Sequence, residues 1–261
     1  MFGAFFWDRE TVRLIGRMAE GSARSEAPGA TGFSRDLLAG LPAPVARYFE
    51  FALAPGRRLV RRARLSQAGE FSASPGEWKP FTAVEYFSVH PPGFVWDARI
   101  RMAPLFPVRV RDSYLAGQGT MRGALASLLP VMDQHGTPEM AAGSLVRYLA
   151  EAVWLPTALL PCEGVQWAPI DETSARATLT DGPTSVWLDA HFGENGEIDE
   201  VATMRHRDVK GTPLLTPWIG HFKNYERRDG MTIPLAGEVE WLVAGERLPY
   251  WRGRIVEASY L

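Results

Sequence analysis

The residues best suited to chemistry are concentrated in the second half of the sequence. Arg147 and Glu151 stand four residues apart there, among several large aromatic residues. Aromatic side chains with a polar handle suit a cleft that is apolar inside and polar at its mouth. We therefore predict a site for an apolar or amphiphilic small molecule. The predicted binding residues are Trp96, Trp154, Trp218, Tyr225 and Trp251 for the apolar wall, and Arg147, Glu151, His221 and Arg252 for the polar end.

Other interpretations of these residues remain open. Nine tryptophans are also what a large curved sheet needs to fill its core. Arg147 and Glu151 have the spacing of an ordinary ion pair on one helix. An enzyme on the same scaffold would use His221 or Glu151 as acid or base, with Arg252 orienting an anion. That version requires these groups within hydrogen-bond reach of one cleft.

Motifs for other chemistries are weak or missing in the sequence. The five histidines show none of the spacings typical of zinc sites, and Cys162 is the only cysteine. Gly117 and Gly119 form a G-x-G without the third glycine of a dinucleotide-binding loop. No G-x-S-x-G nucleophile elbow occurs. We predict no cofactor, no metal and no catalytic residue. The formal net charge of −2 argues against nucleic-acid binding, which needs an excess of positive charge.

The N-terminus is apolar and aromatic, with Phe2, Phe5, Phe6 and Trp7 preceding three spaced arginines. Such a segment could lie on an anionic membrane surface, or it could dock on its own domain. It has neither the basic start nor the cleavage site of a signal peptide, and no apolar run is long enough to span a bilayer. We expect a cytoplasmic protein whose contact with a membrane, if any, is peripheral.

The periodicity of the apolar residues predicts the elements that must position the site. A short helix is expected from Asp8 to Met18, followed by a flexible connection up to Gly32. A second helix carries Val45 to Ala52. Thr137, Pro138 and Glu139 are typical of a helix start, and that helix should run to about Val153.

Strands are predicted on both sides of this long helix. From Arg57 the period changes from about 3.6 to 2, as expected for a meander of neighbouring strands. A second meander follows from Gln166 to Tyr260, with a hairpin-type turn at Asp181 and Gly182. The prediction is an α+β fold, mostly antiparallel: a large curved sheet or half-barrel of about ten strands wrapped on a central helix and closed by its end strands. Residues 1–32 would form an N-terminal helix and connection, and residues 33–261 a single curved-sheet domain.

Six segments of the sequence are characteristic when taken together: LPAPVARYFEFAL (41–53), RLSQAGEF (64–71), PPGFVWDARIRM (91–102), RYLAEAVWLPTALLP (147–161), ARATLTDG (175–182) and PYWRGRI (249–255). They resemble an uncharacterised bacterial family known only as a domain of unknown function. The resemblance covers about residues 41 to 258, and it implies no activity. The strand-helix-strand order also resembles the half-barrel of lipoprotein carriers, which is an analogy of fold alone.

Overall fold

A single antiparallel sheet of thirteen strands dominates the part of the chain that the computed structural model describes, residues 2–24, 32–74, 76–103 and 106–261. The strands are β1 Arg62–Ser74, β2 Glu77–Ser88, β3 Gly93–Ala103, β4 Phe106–Leu115, β5 Gln118–Leu125, β6 Leu129–His135, β7 Gln166–Pro169, β8 Ser174–Asp181, β9 Thr184–Phe192, β10 Ile198–Val209, β11 Thr212–Arg228, β12 Met231–Val243 and β13 Glu246–Tyr260. The helices are α1 Phe2–Arg24, α2 Ala43–Ala52 and α3 Pro138–Glu151.

The order of strands follows the chain with one long-range junction. It is β6-β5-β4-β3-β2-β1-β13-β12-β11-β10-β9-β8-β7, so β1 and β13 pair at the centre of the sheet. The two halves are therefore two meanders, and α3 connects their far ends. Alternate residues of each strand point to opposite faces, as the pleat requires. The large apolar side chains of β3, such as Phe94, Trp96 and Ile100, lie on the inner face.

Helix α3 packs inside the curve of the sheet. It begins at the predicted residues, because the hydroxyl of Thr137 accepts the backbone N–H of Met140 at 3.2 Å and Pro138 occupies the first turn. Gly119 of β5 lies against the Met140 carbonyl and the Ser144 hydroxyl, closer than any larger residue would allow. Glycine at this position lets the helix approach the strand.

Helix α1 packs on the outer face of β3 and β4. The indole N–H of Trp7 donates to Asp97 at 2.9 Å, and the hydroxyl of Thr11 donates to the same carboxylate at 2.5 Å. Arg109 bridges Asp8 and Asp97, while Arg111 donates to the Trp7 carbonyl at 2.7 Å. Buried polar contacts of this kind fix the position of the helix on the sheet.

The predicted fold class is confirmed, with corrections of detail. There are thirteen strands rather than about ten, because β5 and β6 were not recognised. Strand β6 lies at an edge of the sheet and is exposed along most of its length, so its sequence carries no buried alternation. The first helix is longer than predicted, from Phe2 to Arg24, and residues 25–31 of the predicted connection lie outside the described part. The division at residues 32 and 33 stays a prediction.

The predicted closure of the sheet by its end strands is wrong. Strands β6 and β7 each have one neighbour and do not pair with each other in the described residues. Instead, the hydroxyl of Tyr114 at the end of β4 donates to Asp181 at the end of β8, at 2.7 Å. Helix α3 fills the remaining gap, so the molecule is a half-barrel with a helix inside it.

Candidate functional site

A cavity of about 260 Å³ lies between α3 and the inner face of the sheet. Strands from both meanders contribute to it, because it spans the central junction of β1 and β13. Its wall is mainly apolar, formed by Phe71, Trp96, Ile100, Val110, Met121, Met132, Ala150, Trp154, Trp218, Phe222, Val239, Tyr250 and Trp251.

One face of α3, continued by the single turn after it, supplies one side of the cavity. Arg147, Ala150, Glu151 and Trp154 are spaced by three, four and seven residues, so they fall on one stripe. The turn that continues the helix, Ala152–Trp154, keeps Trp154 on this stripe. The helix therefore presents both charged and aromatic groups to the same space.

Glycines in the centre of three neighbouring strands make room for the opposite side. Gly69 of β1 pairs with Gly253 of β13, which in turn pairs with Gly237 of β12. A Cβ atom on Gly253 would be 2.6 Å from the ring of Trp251, and one on Gly69 would overlap the Arg252 carbonyl. Glycine inside a strand marks such close approaches. The row leaves space that larger side chains would fill.

Tryptophan rings line this space in contact with one another. The ring centroid of Trp154 is 6.5 Å from that of Trp251. It is 6.3 Å from the ring centroid of Phe222, which it meets edge to face. The indole N–H of Trp218 donates to the hydroxyl of Tyr250 at 2.8 Å. Aromatic packing of this kind holds rings in fixed positions.

A buried charged cluster forms the polar wall of the cavity. Arg147 donates to Glu151 at 2.9 Å, to Asp112 at 2.8 Å and to Glu85 at 3.0 Å. Its guanidinium also lies over the rings of Phe94 and Trp96, with its central carbon 4.8 and 5.0 Å from the two ring centroids. Three carboxyl groups thus surround one cation.

The cluster continues through a chain of hydrogen bonds behind it. The amide of Gln67 donates to Glu85 at 2.7 Å, and its carbonyl oxygen accepts the indole N–H of Trp96 at 2.8 Å. Both ends of Gln67 are thereby satisfied, and the position of Glu85 is fixed.

Burial sets the protonation of the carboxyl groups. It raises the pKa of Glu85 well above its usual range, and the neighbouring charge of Glu151 raises it further. Burial also raises the pKa of Glu151, although Arg147 opposes that shift. One oxygen of Glu151 accepts from Arg147, while its other oxygen, Oε2, is buried and has no hydrogen-bond partner among the described residues.

Six of the nine predicted binding residues border the cavity: Trp96, Arg147, Glu151, Trp154, Trp218 and Trp251. His221 and Arg252 instead lie on the outer face of the sheet. The ring nitrogens of His221 lie near two carboxylates: Nδ1 is 3.4 Å from Glu200 Oε2, and Nε2 is 3.0 Å from Glu240 Oε1. Arg252 pairs with Glu70 at 2.6 Å. Their strand neighbours Phe222 and Trp251 face the cavity, so the alternation of the strand turns His221 and Arg252 away.

Tyr225 faces inward but far from the cavity. Asn224 has a left-handed φ of 59°, and the pairing of β11 with β12 skips this residue. This conformation lies outside the extended range of a strand and interrupts the regular alternation locally, although the register with β12 is the same on both sides of it. Tyr225 consequently packs against Phe51 of α2 and donates to the Ile198 carbonyl at 2.5 Å.

The enzyme interpretation that pairs His221 with Glu151 does not fit this geometry. The two side chains are separated by the sheet itself, because Glu151 lies in the cavity wall and His221 lies on the outer face. Acid and base groups must reach one substrate, so these two cannot share a cleft.

Sequence reasoning missed Glu85, Asp112 and Gln67, although the sequence contained a signal. Glu85 follows Phe81 and Ala83 at inward positions of β2, and Asp112 follows Val108 and Val110 in β4. An acidic residue in an apolar alternation is expensive to bury unless it has a partner. Both positions therefore pointed to a cation inside the sheet.

The N-terminal aromatic residues are divided between two environments. Trp7 is only 7% exposed and packs on the sheet, while the predicted contact of this segment with a membrane stays a prediction. Phe5 and Phe6 are 57% and 62% exposed. The side chain of Phe2 lies outside the described part of the structure.

Neither a metal cluster nor a membrane-spanning helix occurs among the residues that the structure describes. No group of three or more His, Cys, Asp or Glu side chains is arranged to hold a metal ion there. Among the same residues, no helix combines the length and the apolar character needed to cross a membrane.

The chain belongs to a family of unknown function, DUF6920, whose model matches residues 39–260. No curated protein matches it. Among solved structures, a LolA superfamily protein from Nitrosomonas europaea is 11% identical, with a TM-score of 0.35 over 83% of this chain and 91% of the other. A beta-barrel-like protein of the domain of unknown function DUF1849 from Brucella abortus is 11% identical, with a TM-score of 0.30 over 78% and 99%. At these TM-scores neither likeness carries an argument about this chain.

Proposed function

We propose that this member of a family of unknown function binds an apolar or amphiphilic small molecule between α3 and the sheet. The observation that supports the proposal is the cavity of about 260 Å³ with its tryptophan wall. Protein interiors contain few voids larger than a water molecule. An apolar cavity of about 150 Å³ is already large enough to take benzene.

The architecture gives a reason for the cavity to persist. Gly237 lies on its floor, where a Cβ atom would be 3.5 Å from the ring of Trp251 and 3.7 Å from that of Trp154. The rings are held by their own contacts and do not collapse onto the glycine. Such a preformed apolar site is typical of small-molecule binding.

The experiment uses the neutral apolar dye N-phenyl-1-naphthylamine, whose fluorescence rises in apolar surroundings. We expect saturable binding to the unmodified protein. Gly237→Leu places a side chain in the cavity and should weaken binding at least about tenfold. Ala236→Leu is the matched control, because Ala236 is the neighbour of Gly237 on the opposite face of β12. Equal binding by the two variants would contradict the proposal.

A second function is supported by an exposed surface on α1 and the β5–β6 hairpin. The part of the helix up to Met18 carries three exposed apolar side chains and three exposed arginines on the side away from the sheet. Gly3 contacts Leu128, so the hairpin continues the same surface. We propose that this surface, called here the arginine-aromatic face, binds an anionic membrane. It consists of Phe5, Phe6, Arg9, Val12, Arg13, Arg17, Leu128, Leu129 and Val131.

Co-sedimentation with vesicles tests the arginine-aromatic face. The full chain should sediment with vesicles that contain phosphatidylglycerol and much less with phosphatidylcholine alone. The double substitution Phe5→Ser and Phe6→Ser should abolish this binding. The double substitution Leu214→Ser and Leu215→Ser is the control, since these residues are similarly exposed on the β10–β11 hairpin. Binding that survives the first pair of changes would exclude this surface.

A further inference from the structure

We propose that the polar end of the bound molecule is a non-anionic group that donates hydrogen bonds, a hydroxyl or an amine, placed against Asp112. This inference rests on the proposed binding function and specifies the class of ligand. Three features of the cavity wall support it: an acceptor without a donor, an excess of negative charge and a donor without an acceptor.

The acceptor is one oxygen of Asp112. The residue is only 1% exposed, and its Oδ2 accepts from Arg147 at 2.8 Å. Its Oδ1 is buried and has no hydrogen-bond partner among the described residues. A buried acceptor left without a donor costs about 1–3 kcal/mol. A hydroxyl or amine of a ligand would supply the missing donor.

The charge of the wall disfavours an anionic ligand. Glu85, Asp112 and Glu151 surround Arg147, so three carboxyl groups share a single cation. The cluster therefore keeps an excess of negative charge. A carboxylate or phosphate placed beside it would meet like charge away from water, where such repulsion is strong.

The donor is the indole of Trp154, in the single turn that follows α3 after Glu151. Its Nε1 is buried and makes no hydrogen bond to any part of the chain that is described. A hydroxyl group can both donate and accept, so an alcohol can satisfy Trp154 together with an unpaired acceptor of the wall, Oδ1 of Asp112 or Oε2 of Glu151. A carboxylate could satisfy Trp154 but not Asp112.

Arg205 borders the same cavity and provides the competing possibility. It donates to the Gly143 carbonyl at 3.1 Å and to the Tyr250 hydroxyl at 3.3 Å, and it lies over the ring of Trp218. No carboxylate pairs with it in the described residues. If the polar end of the ligand sat there, an anionic group would be preferred.

Three ligands with the same eight-carbon chain distinguish the alternatives. Octan-1-ol, octylamine and octanoate are compared by displacement of N-phenyl-1-naphthylamine from the unmodified protein near neutral pH. We expect the alcohol and the amine each to bind at least about tenfold more tightly than octanoate. Octanoate binding as tightly or more tightly would overturn the inference and favour Arg205. Failure of the dye and of all three ligands would refute the proposed function and this inference with it.

A substitution of Asp112 adds an independent result. In Asp112→Asn the amide oxygen can still accept from Arg147, while the amide NH₂ replaces the unpaired oxygen and one negative charge is removed. The binding affinity for octanoate should then rise at least about tenfold relative to the affinity for octan-1-ol. Asp199→Asn, at an exposed position of β10, is the control and should leave the ratio unchanged. An unchanged ratio in Asp112→Asn contradicts the inference, and the ligand series decides alone if this variant does not fold.

Discussion

Arg147 stabilises the polar wall because it is shared by three buried or half-buried carboxyl groups. Charges taken out of water are tolerated only when they are paired and hydrogen-bonded. The aromatic faces of Phe94 and Trp96 cover the remaining surface of the guanidinium. Its removal would leave the carboxyl groups without their cation.

Replacement of this arginine should therefore be costly. We expect Arg147→Met to lower the free energy of unfolding by about 3–5 kcal/mol, as found when one partner of a buried pair is removed. Arg176→Met is the control, since Arg176 pairs with Asp189 at a much more exposed position and should lose less than about 1 kcal/mol. Urea unfolding measures both. Similar losses in the two variants would show that the cluster is not a stabilising unit.

Glu85 should make stability depend on pH. Burial raises its pKa in the folded protein, so the folded state holds the proton more tightly than the unfolded state. This contribution is fully present below the unfolded pKa of about 4.3 and is lost as the pH rises through the folded pKa. Glu85→Gln cannot titrate, so it should lose less stability than the unmodified protein between about pH 5 and about pH 8.

Urea midpoints across this range test the prediction. Glu70→Gln is the matched control, because Glu70 pairs with Arg252 on the exposed outer face of the sheet. A pH profile of Glu85→Gln that runs parallel to that of the unmodified protein would contradict the assignment of the proton to Glu85.

At the scale of elements, the position of α3 depends on its contact with β5. Gly119 allows the helix to lie directly against the strand, so that Arg147 and Trp154 reach the cavity. Thr137 fixes the start of the helix. Local sequence starts the helix, whereas one glycine on another element sets its distance from the sheet.

A methyl group at this glycine should displace the helix. In Gly119→Ala the new Cβ would overlap the Met140 carbonyl and approach the Ser144 hydroxyl to 2.6 Å. We expect a loss of about 1–3 kcal/mol by overpacking, together with weaker binding of N-phenyl-1-naphthylamine. Gly123→Ala on the same strand is the control, since its nearest neighbour is the side chain of Val131 at 3.3 Å, which can yield. Equal effects in the two variants would exclude a specific role of the contact between α3 and β5.

At the scale of the whole molecule, the two meanders meet twice. They pair along β1 and β13, and they approach again where Tyr114 donates to Asp181. Burial and the neighbouring Asp181 raise the pKa of Tyr114, so its hydroxyl stays protonated as a donor. This second junction holds an open sheet in a curved shape.

Loss of this hydroxyl should loosen one half of the sheet. We expect Tyr114→Phe to cost about 1–2 kcal/mol, because it removes one hydrogen bond and leaves Asp181 without that partner. Amide hydrogen exchange should become faster in β7, β8 and β9. Tyr86→Phe, on the outer face of β2, is the control. Unchanged exchange in these strands would show that α3 alone holds the two halves together.

Local patterns in the sequence predicted much of this architecture. The helix start at Thr137 and the turn at Asp181 depend on neighbouring residues and occur where expected, whereas the first strand begins at Arg62, after the predicted change of period at Arg57. Six of the nine proposed binding residues border one cavity. Strand β6 escaped prediction because its exposed edge position leaves no apolar alternation.

Only the tertiary structure decided which side chains share a space. Alternation separates His221 from Phe222, but it does not say which of the two faces is concave. The left-handed conformation of Asn224 interrupts that alternation near the end of β11. Glu85, Asp112 and Arg147 come from three distant segments, and they meet because β2, β3 and β4 pair in one register beneath α3. Periodicity is a property of one element. A site depends on the register and curvature of many elements, and these are fixed only when the whole sheet packs on its core.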